Sequence, residues 1–142
     1  MRVVLDANVP ASGFVGHPDR PPAAILSRWA DRTIVLVTSA AIRAEVERTI
    51  GKSYFVQRST SDQRAIFLSA IDERAEFVVP VIRIEGVATH PEDDRVLETA
   101  VSAGVAYLVT GDRGLQRLGE YAGIPILDPR AFRDILDGLP PE

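Results

Sequence analysis

The stretch HPEDDRVLETAVSAGVAYLVTGDRG, residues 90–114, combines a run of acids, a helix pattern, an apolar run and a second acid turn. Pro91 suits the first position of a helix, the three acids after it suit the positive end of the helix dipole, and Gly104 suits the helix end. Residues 105–109 are typical of a short strand, and the turn residues 110–114 lead into another short helix. The stretch therefore places Asp112 just past a strand end.

The two aspartates at the start of this helix differ in direction. The apolar stripe of the helix is formed by Val96, Leu97, Ala100 and Val101. At about 100° per residue, Asp93 lies near the centre of that stripe and Asp94 at its edge. A carboxylate on the core side is costly unless a cation or hydrogen bonds compensate it. From this helix alone, Asp93 is either a capping or salt-bridged acid or part of a metal site, and Asp94 is a rim or supporting residue.

Composition limits the classes of protein that fit. A chain of 142 residues that is 46% hydrophobic predicts one globular domain over residues 1–142. The chain has no cysteine, which excludes disulfides, thiolate zinc sites and cysteine nucleophiles. Neither a signal peptide nor a membrane span is visible, so we expect a cytoplasmic protein without membrane contact.

The net charge of −4 is not the basic footprint of a nucleic-acid binder. If four of the 20 acids belong to a metal site, the other acids balance the 16 basic residues. Charge then argues neither for nor against a nucleic-acid substrate.

Strands alternate with helices along the chain. We expect strands at residues 1–5, 33–38, 77–82, 105–109 and 123–127, and helices at residues 22–30, 40–50, 61–74, 91–103 and 129–136. Residues 12–22 are expected to form a surface loop and residues 51–60 a polar connection, while Pro80 favours an edge position for its strand. The pattern predicts a three-layer α/β/α fold around a central parallel sheet of about five strands.

In such folds, ligands bind beyond the carboxyl ends of the strands, where the strand order reverses. Asp6 and Asp112 follow strands there, and Asp93 begins a helix at the same edge. Glu45 lies on the inward side of its helix and Glu47 on the opposite side, although a solvated rim position for Glu45 stays open. Four carboxylates without a thiolate favour Mg²⁺ or Mn²⁺ over zinc. Such ions activate water and stabilise charge on a phosphodiester, which points to a nucleic-acid substrate.

Three motifs resemble the PIN-domain ribonucleases, especially the toxin components of toxin-antitoxin systems. They are VVLDANV at residues 3–9, SAAIRAEVERTI at residues 39–50 and EDDRVLETAVSAGVAYLVTGD at residues 92–112. By this resemblance, the metal-binding and catalytic acids are Asp6, Glu45, Asp93 and Asp112. Asn8 and Thr110 match positions that support the acids through hydrogen bonds. The resemblance implies single-stranded RNA cleavage by water activated by Mg²⁺ or Mn²⁺, a homodimer and an antitoxin partner.

The strand-end acids also resemble those of two other classes of protein, but each of these needs a residue that the chain lacks at the required position. A haloacid-dehalogenase-like phosphatase needs a second aspartate where Asn8 stands, and a response-regulator receiver needs a lysine near its fifth strand, whereas the chain's only lysine is Lys52. A catalytically weak PIN-like module for RNA or protein binding remains the main alternative.

Two further features of the sequence stay open. Tyr54 and Phe55, beside Lys52 and Arg58, suit either nucleotide stacking or, as we favour, packing in the core or a partner interface. His90 suits either proton transfer or, as we favour, an ordinary surface position.

Overall fold

The computed structural model describes residues 1–140, and a six-stranded sheet forms its centre. The strands are β1 (Arg2–Leu5), β2 (Val35–Thr38), β3 (Glu76–Phe77), β4 (Tyr107–Val109), β5 (Glu120–Tyr121) and β6 (Ile124–Leu127). They are arranged in the order β3-β2-β1-β4-β6-β5. All neighbours are parallel except β5 and β6, which form an antiparallel pair. The predicted α/β fold with a mostly parallel central sheet is confirmed.

Helices flank this sheet. They are α1 (Asn8–Val15), α2 (Pro21–Ala30), α3 (Ala40–Ile50), α4 (Ser53–Val56), α5 (Ser61–Arg74), α6 (Pro91–Ala103), α7 (Arg113–Gln116) and α8 (Pro129–Asp137). Helix α2 packs against α1 and α8, and α3 packs against α1 and α6. The central strand β1 is apolar in succession, and its Val3, Val4 and Leu5 are buried because helices cover both of its faces. Among the helices of residues 1–140, none combines the length and the hydropathy that a membrane span requires.

Local signals set the ends of the longer helices. The Ser39 hydroxyl accepts a hydrogen bond from the Ile42 N–H at the start of α3, and Thr60 and Gln63 form a capping box at the start of α5. Gly104 ends α6 in the left-handed conformation, with φ of 63°. The predicted bounds of these three helices are confirmed.

Two predicted connections contain helices. Residues 12–22 were expected to be a loop, but α1 continues to Val15 and only residues 16–20 connect it to α2. A Cβ atom at Gly13 would lie 2.7 Å from the Pro22 carbonyl oxygen, so this glycine serves close packing between α1 and α2 rather than a loop. The connection at residues 51–60 contains the single-turn helix α4.

The edges of the sheet also differ from the prediction. The third strand was expected at residues 77–82, but β3 is limited to Glu76 and Phe77 at the sheet edge. Pro80 has no N–H to donate to a ladder, and the Val81 N–H donates to the Ser102 hydroxyl instead. Strand β5 was not predicted, because its two residues are too few to show a period. It turns into β6 through Ala122 and Gly123, with φ of 50° and 80°, which suits a tight hairpin.

Candidate active site

The candidate site lies where the order of the strands reverses. The chain passes from β1 to β2 on one side and returns to β4 on the other. Leu5 of β1 pairs with Val109 of β4, so Asp6 and Thr110 leave the sheet side by side. The Asp6 N–H donates to the Val109 carbonyl at 2.9 Å. The site therefore occupies the crevice that a parallel α/β sheet offers to ligands.

Thr110 connects two of the predicted acids. Its hydroxyl donates to Asp6 Oδ2 at 2.7 Å and accepts from the Asp112 N–H at 3.0 Å. The Ala7 N–H donates to the other carboxylate oxygen of Asp6 at 2.8 Å. Asp6 and Thr110 are both buried, so these bonds hold the Asp6 carboxylate in one orientation.

Asn8 and Asp112 fix the turn after β4. The Gly111 N–H donates to Asn8 Oδ1 at 3.3 Å, and the Leu115 N–H donates to Asp112 Oδ2 at 2.8 Å. Asp112 therefore caps α7 with one oxygen. Asn8 and Thr110 thus each accept or donate a hydrogen bond beside the acids, and their supporting roles stay a prediction.

A cavity of about 300 Å³ opens at this edge of the sheet. Its polar lining consists of Asp6, Asn8, Glu45, Thr49, Lys52, His90, Glu92, Asp93, Arg95 and Asp112. All four acids named from the sequence thus face one cavity. Their roles as ligands and catalytic groups stay a prediction.

Glu45 occupies the rim of the cavity. Its side chain is 31% exposed, and Arg48 Nη2 lies 2.7 and 2.6 Å from its two carboxylate oxygens. Glu47 points away into solvent and pairs with Arg43. Glu45 therefore faces the cavity and Glu47 faces solvent, as the helix periodicity predicts. Glu45 takes the partly solvated rim position that the sequence left open.

Asp93 is the acid whose ionisation the site opposes most clearly. Its side chain is 13% exposed. Burial, followed by the charges of Asp6 and Asp112, raises the pKa of Asp93 to about 6. The imidazole Nδ1 of His90 lies 3.5 Å from Asp93 Oδ2. Burial also raises the pKa of Asp6, against the hydrogen bonds from Thr110 and Ala7. The cavity therefore concentrates negative charge beyond what the nearby residues neutralise.

A divalent cation fits this arrangement. His90, Asp93 and Asp112 each offer a ligand atom, and these atoms lie within 4.8 Å of one another. Carboxylate oxygens dominate the donors, as Mg²⁺ and Mn²⁺ prefer. A bound cation would also offset the burial and the repulsion from Asp6 and Asp112 that together raise the pKa of Asp93.

Asp94 has a different role from its neighbour. It is only 3% exposed, so the rim position considered for it is wrong. Its carboxylate accepts hydrogen bonds from the Ala88 N–H at 2.7 Å and the Gly86 N–H at 3.0 Å. Asp94 therefore holds the segment before His90 against the first turn of α6, a contact for which the helix periodicity of α6 gives no signal.

Sequence reasoning missed several residues of the cavity. Lys52, Glu92 and Arg95 line it, and exposed His90 offers a ligand atom although a plain surface position was favoured. Helical spacing gave no signal for Lys52, because α3 ends at Ile50 and Lys52 lies beyond Gly51 in an extended conformation. Arg95 carried no such signal, because its position depends on bonds to Ile84 and Glu98.

Comparison with known proteins agrees with the fold and the motifs. A family model described as PIN domain matches residues 2–114. The chain belongs to the PIN-domain family. The matched region of this PIN domain includes the four candidate site acids, Asp6, Glu45, Asp93 and Asp112, and ends before β5, β6 and α8. A search of curated proteins found no match.

Solved structures share the PIN-domain fold at low sequence identity. VapBC2 from Rickettsia felis, bound to a DNA fragment from their promoter, is 17% identical, with a TM-score of 0.62, over 90% of this chain and 98% of that chain. FitAcB from Neisseria gonorrhoeae is 16% identical, with a TM-score of 0.53, over 90% and 98%. VapC20 from Mycobacterium tuberculosis, described as a sarcin-ricin loop cleaving toxin, is 15% identical, with a TM-score of 0.55, over 87% and 98%. At these identities the likeness concerns the fold.

Proposed function

We propose that this PIN-domain protein is an endoribonuclease that cleaves single-stranded RNA with Mg²⁺ or Mn²⁺. The observation that carries the proposal is the shared cavity of Asp6, Glu45, Asp93 and Asp112, in which burial and then the neighbouring acids raise the pKa of Asp93 to about 6. Family membership supports a nuclease, and the charge of the cavity supports a divalent cation. The phosphatase alternative is left without support by the PIN-domain match.

In the proposed reaction, Asp6, Glu45, Asp93 and Asp112 would hold the cation, with Asp93 and Asp112 in the cluster whose ligand atoms lie within 4.8 Å of one another. When bound, the cation lowers the pKa of water and neutralises charge on the phosphodiester. Thr110 keeps the Asp6 carboxylate oriented through its 2.7 Å hydrogen bond, and Asn8 keeps the turn before Asp112 in place. His90 is exposed at the mouth of the cavity, with its Nδ1 atom 3.5 Å from Asp93 Oδ2, and would be a further ligand for the cation.

The proposal includes a toxin role. The motifs resemble toxin components of toxin-antitoxin systems, and the fold is similar to that of a toxin described as cleaving the sarcin-ricin loop. We therefore propose an antitoxin protein as partner, a homodimer as the assembly and the cytoplasm as the location. Co-expression with a protein encoded beside it, followed by light scattering of the purified complex, measures both partner and stoichiometry.

Cleavage of RNA tests the central proposal. Purified protein is incubated with mixed single-stranded RNA and Mn²⁺, and the products are separated by size. We expect cleavage by the wild type and loss of about two orders of magnitude or more in Asp6→Asn and Asp93→Asn, because each removes a charged ligand. Addition of EDTA should stop the reaction.

A matched pair on α3 provides the control. Glu45→Gln should reduce cleavage strongly, whereas Glu47→Gln should leave it unchanged, because Glu47 faces solvent away from the cavity. Equal cleavage by Asp6→Asn, Asp93→Asn and the wild type would reject the proposed site. If the wild type binds RNA but never cleaves it, the chain is instead a catalytically weak PIN-like binding module.

A further inference from the structure

The connection between α3 and α5, residues 51–60, lies between two cavities. Lys52 lines the cavity that contains Asp6, Glu45, Asp93 and Asp112, which we call the acid cavity. Arg58 and Ser59 line a second cavity of about 450 Å³ against α1 and α5. Residues 51–60 contain Lys52 and Arg58 but no acid, in a chain whose net charge is −4. This connection therefore offers positive charge directly beside the negative cavity.

Tyr54 forms an exposed platform on this connection. Its side chain is 56% exposed, and the guanidinium carbon of Arg58 lies 3.7 Å from the centre of its ring. Arg58 Nη1 also donates to the Tyr54 carbonyl oxygen at 2.9 Å. The ring and the guanidinium thus form a cation–π stack at the protein surface.

The sequence left open whether Tyr54 and Phe55 stack on nucleotides or pack in the core or a partner interface, and the two side chains differ in this respect. Phe55 is partly buried and packs against the hydrophobic core, whereas Tyr54 is exposed. The two rings meet edge to face, with 5.1 Å between their centres. Phe55 therefore anchors the connection, and Tyr54 is presented to solvent.

Hydrogen bonds hold the platform in place before any ligand binds. The Ser59 hydroxyl donates to the Phe55 carbonyl oxygen at 2.6 Å. Arg64 donates to both the carbonyl and the hydroxyl oxygen of Ser59, at 3.0 and 2.9 Å. A fixed platform loses little conformational entropy on binding, which favours affinity.

We infer that residues 52–58 bind the single-stranded RNA as it leaves the acid cavity. Lys52 contacts a phosphate next to the cleaved one, and a base stacks on Tyr54 and Arg58. Positive charge beside an exposed aromatic ring is the combination by which proteins bind single-stranded nucleic acid. The identity of the ligand as RNA rests on the proposed function.

Binding without cleavage tests the inference. Fluorescence anisotropy with a short labelled single-stranded RNA in EDTA measures the dissociation constant of the full chain. Tyr54→Ala should raise it about tenfold, because a stacked base is lost, whereas Tyr54→Phe should stay within about twofold, because the ring remains. Thermal melting of each variant verifies that it is folded.

The salt dependence separates the two kinds of contact. Lys52→Gln should reduce the slope of log affinity against log salt by about 0.7, because one phosphate contact is lost. Tyr54→Ala should leave that slope unchanged. Arg32→Gln is the matched control, because it also removes one positive charge. Arg32 lies just before β2, at the amino ends of the parallel strands, whereas the acid cavity lies at their carboxyl ends.

The outcomes distinguish this inference from the proposed function. Wild-type affinity in Tyr54→Ala, or equal losses in Tyr54→Ala and Tyr54→Phe, overturns the platform, and the nuclease proposal stands if Mn²⁺ still gives cleavage. Absence of RNA binding by the wild type also overturns the platform. Binding that depends on Tyr54 without cleavage in Mn²⁺ supports the platform and rejects the nuclease.

Discussion

At the scale of single residues, Asp93 and Asp94 show how adjacent carboxylates acquire separate tasks. Asp93 faces the acid cavity, and its pKa is raised to about 6 by burial and by neighbouring acids. Asp94 is buried among backbone N–H groups that compensate its charge. The surroundings of each carboxylate, rather than its residue type, decide whether it destabilises or stabilises the fold.

The raised pKa of Asp93 predicts that Asp93→Asn stabilises the metal-free protein. Between about pH 4 and pH 6 the native state keeps a proton that the unfolded chain releases, so stability falls as pH rises through this window. In EDTA at neutral pH, the free energy of unfolding of Asp93→Asn should exceed that of the wild type by about 1–3 kcal/mol.

Urea unfolding in EDTA over a series of pH values measures this difference. The gain should shrink towards pH 4, where the wild-type carboxyl is also neutral. A gain that is independent of pH, or a loss of stability at neutral pH, would show that the charge of Asp93 is compensated in the metal-free protein.

Asp94→Asn should have the opposite effect on stability. An amide offers one acceptor oxygen where the carboxylate offers two, so either the Gly86 or the Ala88 N–H loses its partner. We expect a loss of about 1–3 kcal/mol in the free energy of unfolding, with a much smaller loss of RNA cleavage than in Asp93→Asn. Urea unfolding and cleavage rates measure the two effects, and equal losses of cleavage would reject the separate tasks.

At the scale of elements, a buried hydroxyl pair joins the two helices that carry Glu45 and Asp93. The Thr99 hydroxyl of α6 donates to the Ser39 hydroxyl at 2.8 Å, just before α3. Both residues are buried. Because Ser39 also caps α3, this contact sets the start of one helix against the middle of the other.

A double-mutant cycle measures that contact. Thr99→Val keeps the side-chain shape but removes the donor, so we expect a loss of about 1 kcal/mol. The losses from Ser39→Ala and Thr99→Val should sum to more than the loss in the double variant, because both break the same bond. Additive losses would show that the two hydroxyls do not couple α3 to α6.

At the scale of the whole molecule, the part of the chain beyond the family match completes the core. Helix α8 packs against α2, and its Phe132 and Leu136 are fully buried. Arg28 of α2 donates to the Leu136 carbonyl oxygen at 2.9 Å. Residues after Gly114 are therefore part of the folding unit that positions β4 and the site.

Phe132→Ala tests this contribution. Removing the ring leaves a cavity beside Tyr107 of β4, and we expect a loss of about 3–5 kcal/mol in the free energy of unfolding. Thermal and urea unfolding measure it. Arg130→Ala, a surface change on the same helix, should cost under about 0.5 kcal/mol. Similar values for both variants would mean that α8 is peripheral to the core.

The sequence by itself determined the features whose causes lie within one or two turns of chain. Helices α3, α5 and α6 could be placed because their capping residues and Gly104 act within a few residues of the helix ends. Strand β1 could be placed because a parallel strand that is buried on both faces is a continuous run of apolar residues. Strand ends followed by Asp6 and Asp112 predicted one shared edge, since parallel strands end on the same side.

Only the tertiary structure decided features that depend on how one element packs or pairs with another. Packing against α2 makes α1 a helix despite Gly13, and pairing with β6 makes β5 a strand despite its two residues. The place of Lys52 beside the acids depends on how α3 packs against α6, and the burial of Asp94 depends on how the segment before α6 folds back onto its first turn. Such contacts leave no period in the sequence, because their partners are fixed by the fold and not by spacing.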